Sequence, residues 1–139
     1  MTVKEFMRKF YMITVDPINP ESIKFSTIKR PRLECNDGFS ISVQASVYHY
    51  CAPRTNLIDK DYKKVELGYP SMADDTIAEY ADDPDDPEDL CGTVYGWVPI
   101  DIVEKLIEKH GGIKGPYAES IASMTEHANM CPTIISCSW

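Results

Sequence analysis

No stretch of the 139 residues is apolar for the roughly 18–20 positions that a membrane-spanning helix needs. The segment Met1 to Phe10 sets Lys4, Glu5, Arg8 and Lys9 where a signal peptide requires an uninterrupted apolar run. A soluble protein made in the cytoplasm, with no membrane partner, is therefore expected. Glycine is scarce, and no phosphate-cradling loop can be assembled from it. Gly92 and Gly96 are isolated, and Gly111-Gly112-Ile113-Lys114-Gly115 follows a predicted helix instead of opening one. The five cysteines (Cys35, Cys51, Cys91, Cys131 and Cys137) are odd in number and contain no CxxC pair. That pattern speaks against a secreted disulfide scaffold and for reduced, mostly buried thiols. Basic residues are few as well. Lys and Arg number 14 against 22 Asp and Glu, for a net charge of −8. This balance repels phosphate, and the one basic cluster, Lys29-Arg30-Pro31-Arg32, is short, so no direct nucleic-acid binding is expected.

The acid is concentrated. Residues 74–89 hold Asp74, Asp75, Glu79, Asp82, Asp83, Asp85, Asp86, Glu88 and Asp89 without a single Lys or Arg. Without those nine, 13 acidic residues face 14 basic ones, so the body of the protein is close to neutral. A charge run of this kind is commonly a solvated loop. Two features favour a binding surface: no base compensates it from Val65 through Val103, and Tyr80 interrupts it. Carboxylates rimming an aromatic anchor suit a protein-binding surface, and a concentrated patch steers a cationic partner. Carboxylates spaced like phosphates can also occupy an enzyme's DNA-binding groove, as a DNA mimic does.

At 15.7 kDa, with 43% apolar residues, the chain is of a size for one domain with a real core. Val3, Phe6, Met7 and Phe10 fall on one face of a short helix, and Tyr11–Val15 reads as a strand before the Asp16-Pro17 and Asn19-Pro20 breaks. Asn36-Asp37-Gly38 marks a tight turn. After it Phe39, Ile41, Val43 and Ala45 alternate with Ser40, Ser42, Gln44 and Ser46, which predicts a strand with one buried apolar face and one polar face. Tyr48–Cys51 continues toward a break at Ala52-Pro53-Arg54, and 55–64 reads as a polar loop. Strands are predicted at 65–69 and 93–98, and a short helix at 71–80 capped by Ser71. Asp83-Pro84-Asp85-Asp86-Pro87-Glu88 cannot be helical throughout and reads as an exposed loop. Ile100, Val103, Leu106 and Ile107, with Gly111-Gly112 beyond, predict a helix at 100–110. A further helix is predicted at 117–128 and a final extended segment at 133–139. The sum is an α+β fold with a small, mainly antiparallel sheet of four to five strands and two to three helices.

Sites for chemistry are sparse. Cys35, His49, Cys51 and Arg54 form a candidate pocket for a small ligand, a metal or catalysis, since residues 49 and 51 of an extended segment face one way. Structural zinc needs two paired ligand motifs, and only this one loose pair is present, so no metal or cofactor is expected. Cys51 with His49 or His110 is a nucleophile–base pair only if the fold brings them together. The acidic block lacks the spacing of a calcium-binding EF-hand loop. Tyr48, Tyr50, Tyr95 and Trp97 lie in predicted strands, where core packing competes with an aromatic binding surface.

Five strings stand out along the chain: CNDGFSISVQASVYHYCAPR at 35–54, VELGYPS at 65–71, YADDP at 80–84, TVYGWVP at 93–99 and IEKHGGI at 107–113. In them the stretch 30–113, about 60% of the chain, resembles a group of small proteins of unassigned activity encoded by phages and prophages. Residues 1–29 and 114–139 read as extensions of that core within a single domain, 1–139. The resemblance implies a phage accessory protein acting in the cytoplasm of a bacterial host cell. Small acidic phage proteins of that setting include inhibitors of host defence nucleases, anti-CRISPR proteins among them. The expected function is thus a non-enzymatic inhibitor that docks Asp74, Asp75, Glu79, Tyr80, Asp82, Asp83, Asp85, Asp86, Glu88 and Asp89 on a basic host protein. That partner would be a CRISPR or other nucleic-acid-binding defence protein. The alternative is a ligand- or metal-binding protein, or a small enzyme, built on the 35–54 pocket.

Overall fold

Thr2 starts the first helix, α1 (Val3–Lys9): its hydroxyl accepts from the Glu5 backbone N–H at 3.1 Å, and Glu5 reaches back to the hydroxyl. In this computed structural model, which describes residues 1–14, 18, 26–81 and 90–114, Val3, Phe6, Met7 and Phe10 are buried on the face expected of them. The N-terminal segment is therefore part of the core. The strand expected at Tyr11–Val15 is observed as β1 (Met12–Thr14), which pairs antiparallel with β2 (Thr27–Lys29). The second sheet runs β3 (Leu33–Glu34), β4 (Ser40–Gln44), β5 (Lys64–Gly68) and β6 (Val94–Pro99), all antiparallel neighbours in that order. The closing helix, α2 (Ile100–Lys109), buries Ile100, Val103, Leu106 and Ile107 against the sheet and ends on Gly111 and Gly112, both at positive φ. The fold is α+β. The helix expected at 117–128 and the segment at 133–139 lie outside the described residues.

Three expectations are corrected. First, β4 has no solvated face. Phe39, Ile41, Val43 and Ala45 are buried as predicted, but so are Ser42, Gln44 and Ser46. The basic cluster covers this second face. The Gln44 side chain accepts from the Arg30 N–H at 2.9 Å and donates to the Arg30 carbonyl at 2.7 Å, acting as one more rung of sheet. Removing it strands two buried backbone groups, so Gln44→Leu is expected to lower the unfolding free energy by about 2–3 kcal/mol in denaturant titration.

Second, the helix expected at 71–80 is reduced to a turn and a 3₁₀ segment, Ala78–Tyr80. Ser71 is committed elsewhere: its hydroxyl accepts from the Ser40 N–H at 2.9 Å and its own N–H donates to the Ser40 carbonyl. The 3₁₀ segment has no side-chain cap; Asp74 instead closes the turn before it, accepting from the Thr76 N–H at 2.9 Å. Third, 48–51 is not extended. The chain turns after Ser46, with the His49 N–H donating to the Ser46 carbonyl and the Cys51 N–H to the His49 carbonyl.

Candidate functional site

Tyr95 joins the core, whereas Tyr48, Tyr50 and Trp97 are exposed. Tyr48 and Tyr50 lie on the turn after β4, whereas Trp97 lies where the pairing of β5 with β6 shifts register, between Val65 and Leu67. Such a bulge re-aims one side chain. Trp97 adopts φ +52°, a region bulky residues seldom occupy, and half of its surface faces solvent. Its N–H donates to the Tyr50 carbonyl at 3.0 Å, which draws the 46–54 turn across the sheet. There the two rings lie 4.9 Å apart, centroid to centroid. Gly96 makes the approach possible: a Cβ at that position would sit 3.3 Å from the Tyr50 Cβ. The Arg54 guanidinium lies over the Tyr50 ring, 5.4 Å from its centroid.

The third wall comes from the acidic segment. Ala81 bridges to Tyr95, which lays the 78–81 stretch beside β6 and brings Tyr80 to the pair. Tyr50, Tyr80, Val94, Gly96 and Trp97 then enclose an open depression of about 360 Å³. Asp75 and Glu79 are exposed on the same short segment that carries Tyr80. The remaining acids expected at the partner surface, Asp82, Asp83, Asp85, Asp86, Glu88 and Asp89, lie outside the described residues, as does the loop expected at 83–88.

Asp74 is corrected out of this surface. It is buried and belongs to a network that sequence reading missed. His110, itself buried, places Nδ1 2.7 Å from Asp37 Oδ2 and Nε2 2.8 Å from Asp74 Oδ2, while Lys109 Nζ lies 3.0 Å from Asp74 Oδ1. Phe39 stacks on the imidazole at 4.0 Å, nearly parallel. Both ring nitrogens lie within hydrogen-bond distance of carboxylate oxygens. Burial raises the Asp74 carboxyl, but hydrogen bonds from Thr76, His110 and Lys109 outweigh it and hold the group well below the usual carboxylate range. Asp37 is also lowered, by the Phe39 N–H first and His110 second. With both nitrogens engaged, the imidazole offers no free base. The network fastens the β3–β4 turn, the end of α2 and the 74–80 turn to one another.

The 35–54 pocket is not assembled as one site. Cys35 sits at the turn end of the β3–β4 hairpin, opposite Phe39, and bridges to Ile113. His49, Cys51 and Arg54 follow the far end of β4, a strand length away. His49 Nδ1 meets the Ser46 hydroxyl at 2.6 Å, and the Cys51 thiol lies on the Ser46 and Pro53 carbonyls. Burial, with Arg30, Lys29 and Arg54 nearby, pushes His49 down to about 4. Burial likewise raises Cys51, and pushes Cys35 up to about 12. Neither thiol is poised as a nucleophile. In the folded protein, alkylation near neutral pH should reach exposed Cys91 while leaving Cys35 and Cys51 unmodified, as read by peptide mass after a timed quench. Rapid modification of Cys51 would contradict this placement. Among the described residues no group of three or more His, Cys, Asp and Glu side chains is arranged to hold a metal. No helix among them is long and apolar enough to cross a membrane.

The fold and site together define a small α+β domain with an exposed aromatic depression beside acidic side chains. Comparison with protein-family models, curated proteins and solved structures finds no match.

Proposed function

We propose that the protein is a non-enzymatic binding protein, which docks the Tyr50–Tyr80–Trp97 depression and its acidic margin on a basic protein partner. The observation that carries this reading is the exposure of Trp97, at a bulge, and of Tyr50 packed against it, beside a segment bearing Asp75 and Glu79. Aromatic side chains in a depression are the usual energetic anchors of an interface, and carboxylates around them select a cationic partner. The chain continues from Ala81 directly into six further acids, and no base occurs from Val65 through Val103 to neutralise them. The Arg54 guanidinium lies over the Tyr50 ring at this margin.

The setting implied by the phage resemblance of 30–113 supplies the partner class: a host defence protein whose basic surface normally binds nucleic acid. Occupying that surface would inhibit the host protein by competition, with no reaction catalysed. The test is capture from a bacterial lysate at low salt with wild-type protein and with Trp97→Ala. Recovery of a basic, nucleic-acid-binding protein by the wild type, lost with the variant and released by nucleic acid, supports the reading. Equal recovery by both forms would overturn it.

A further inference from the structure

Arg54 shows what the aromatic depression accepts. Its guanidinium lies 5.4 Å from the centroid of the Tyr50 ring, so a cation already rests against one of the aromatic side chains. Arg54 is exposed and does not itself line the space. The rings that line it, Tyr50, Tyr80 and Trp97, offer two phenols and an indole, and the indole face attracts cations best among aromatic side chains. Tyr50 and Trp97 pack with centroids 4.9 Å apart, so each ring braces the other.

Size and charge agree. At about 30 Å³ per water, the depression of about 360 Å³ is room for about a dozen waters. The side chain of one arginine has fewer heavy atoms than that. Glu79 is exposed and directly precedes Tyr80, and Asp75 is exposed on the same segment. A buried carboxylate also reaches this wall: Glu66, 5% exposed, accepts from the Tyr50 N–H at 3.4 Å. Burial pushes its carboxyl up, and the Arg54 charge is among the groups that oppose this, so positive charge near Tyr50 is favoured. The sequence from Val65 through Val103, which carries Tyr80 and Trp97, brings no Lys or Arg of its own. An apolar anchor would use the rings and leave the carboxylates idle. A lysine ammonium would use both, but it is compact and strongly hydrated. A guanidinium is planar and more weakly hydrated, stacks on aromatic faces and pairs with carboxylates through two N–H groups at once.

We infer that the depression is a receptor for one arginine side chain of the partner, its guanidinium laid against Trp97 and Tyr50 and its N–H groups turned toward Glu79. The inference rests on the docking reading and adds the chemical group that enters the surface.

The experiment titrates the full isotope-labelled chain at low salt with acetyl-Gly-Arg-Gly-amide and with its lysine and citrulline counterparts. The signals followed by NMR are the backbone amide of Gly96 and the indole N–H of Trp97. Citrulline keeps the shape of arginine and carries no charge. The arginine peptide should shift both signals saturably, with a dissociation constant on the order of 10 mM. The lysine peptide should bind severalfold more weakly, and the citrulline peptide should not saturate. Trp97→Leu keeps an apolar side chain and removes the indole face. In it the Gly96 response should weaken by about 3- to 30-fold, while the remaining signals report whether the variant is folded. Equal binding of the citrulline or lysine peptide, no saturable shift with arginine, or an undiminished response in folded Trp97→Leu would overturn the inference. The docking reading fails separately. A basic partner captured through Trp97, with Gly96 unmoved by the arginine peptide, would remove the arginine and keep the surface. Arginine binding without capture of any basic partner would keep the receptor and remove the docking reading.

Discussion

Replacing His110 with alanine should lower the unfolding free energy by about 3 kcal/mol, the range seen when one partner of a buried ion pair is removed. The loss has two parts. Asp74, with 4% of its side chain exposed, would keep Lys109 but lose its buried hydrogen bond to His110, and Asp37 would lose its own. The Phe39 ring, stacked at 4.0 Å, would lose its partner and border a void. His110→Phe separates the parts: it retains the stack and should still destabilise, because the carboxylates then face an apolar ring. Urea titration of the three forms measures both differences.

The acid limb carries the same signature. The folded-state pKa of Asp74 is depressed, so its contribution is fully present above the unfolded carboxyl value of about 3.9. It is lost as pH falls through the folded value. Wild-type stability should therefore drop below about pH 4 more steeply than that of Asp74→Asn, which carries no proton to gain. Parallel acid limbs would show that Asp74 does not hold its charge inside the network.

The second large effect concerns binding. Trp97→Ala should weaken the complex with a captured partner by about 30- to 1,000-fold, as truncation of a central aromatic anchor does. Trp97 is half exposed and contributes little to the core, so the variant should keep wild-type stability, and the loss would be one of contact. Tyr50→Ala should cost nearly as much, since it removes the stacked ring and leaves Arg54 without its platform. Tyr48 is equally exposed but does not line the depression, and Tyr48→Ala serves as the control expected to bind normally.

How far the sequence foretold this arrangement depends on the range of the interaction. Periodicity within one segment was readable: the apolar faces of α1 and α2, the 39–45 alternation, and the strands now seen as β5 and β6. Contacts between distant segments were not. The Gln44 bonds to Arg30 span fourteen residues and invert the reading of a polar strand face as solvent-facing. His110 meets Asp37 and Asp74 across 73 and 36 residues, and nothing local to any of them signals the meeting. Asp74 was therefore read as surface charge when it is a buried fastener. Tyr80 was singled out as an aromatic anchor within the acids, but its companions Tyr50 and Trp97 were counted with the strand aromatics. The register shift in β5–β6 sets Trp97 apart from Tyr95, and the turn after Ser46 sets Tyr50 apart from both. The 35–54 pocket failed on the same ground, because hairpin geometry sets Cys35 and Cys51 at opposite ends of β4.

The central claim is that the aromatic depression and its acidic margin form one docking surface for a basic partner. Its most direct test is the affinity of the captured partner for wild type and for Asp75→Asn with Glu79→Gln, each measured across about 0.05–0.5 M salt. Exposed charge is screened within about 10 Å at 0.1 M, so wild-type affinity should fall steeply over that range. The double variant should bind more weakly at low salt, and the two curves should converge at high salt, where the aromatic contact alone remains. A wild-type affinity indifferent to salt, or a double variant indistinguishable from wild type throughout, would contradict the claim.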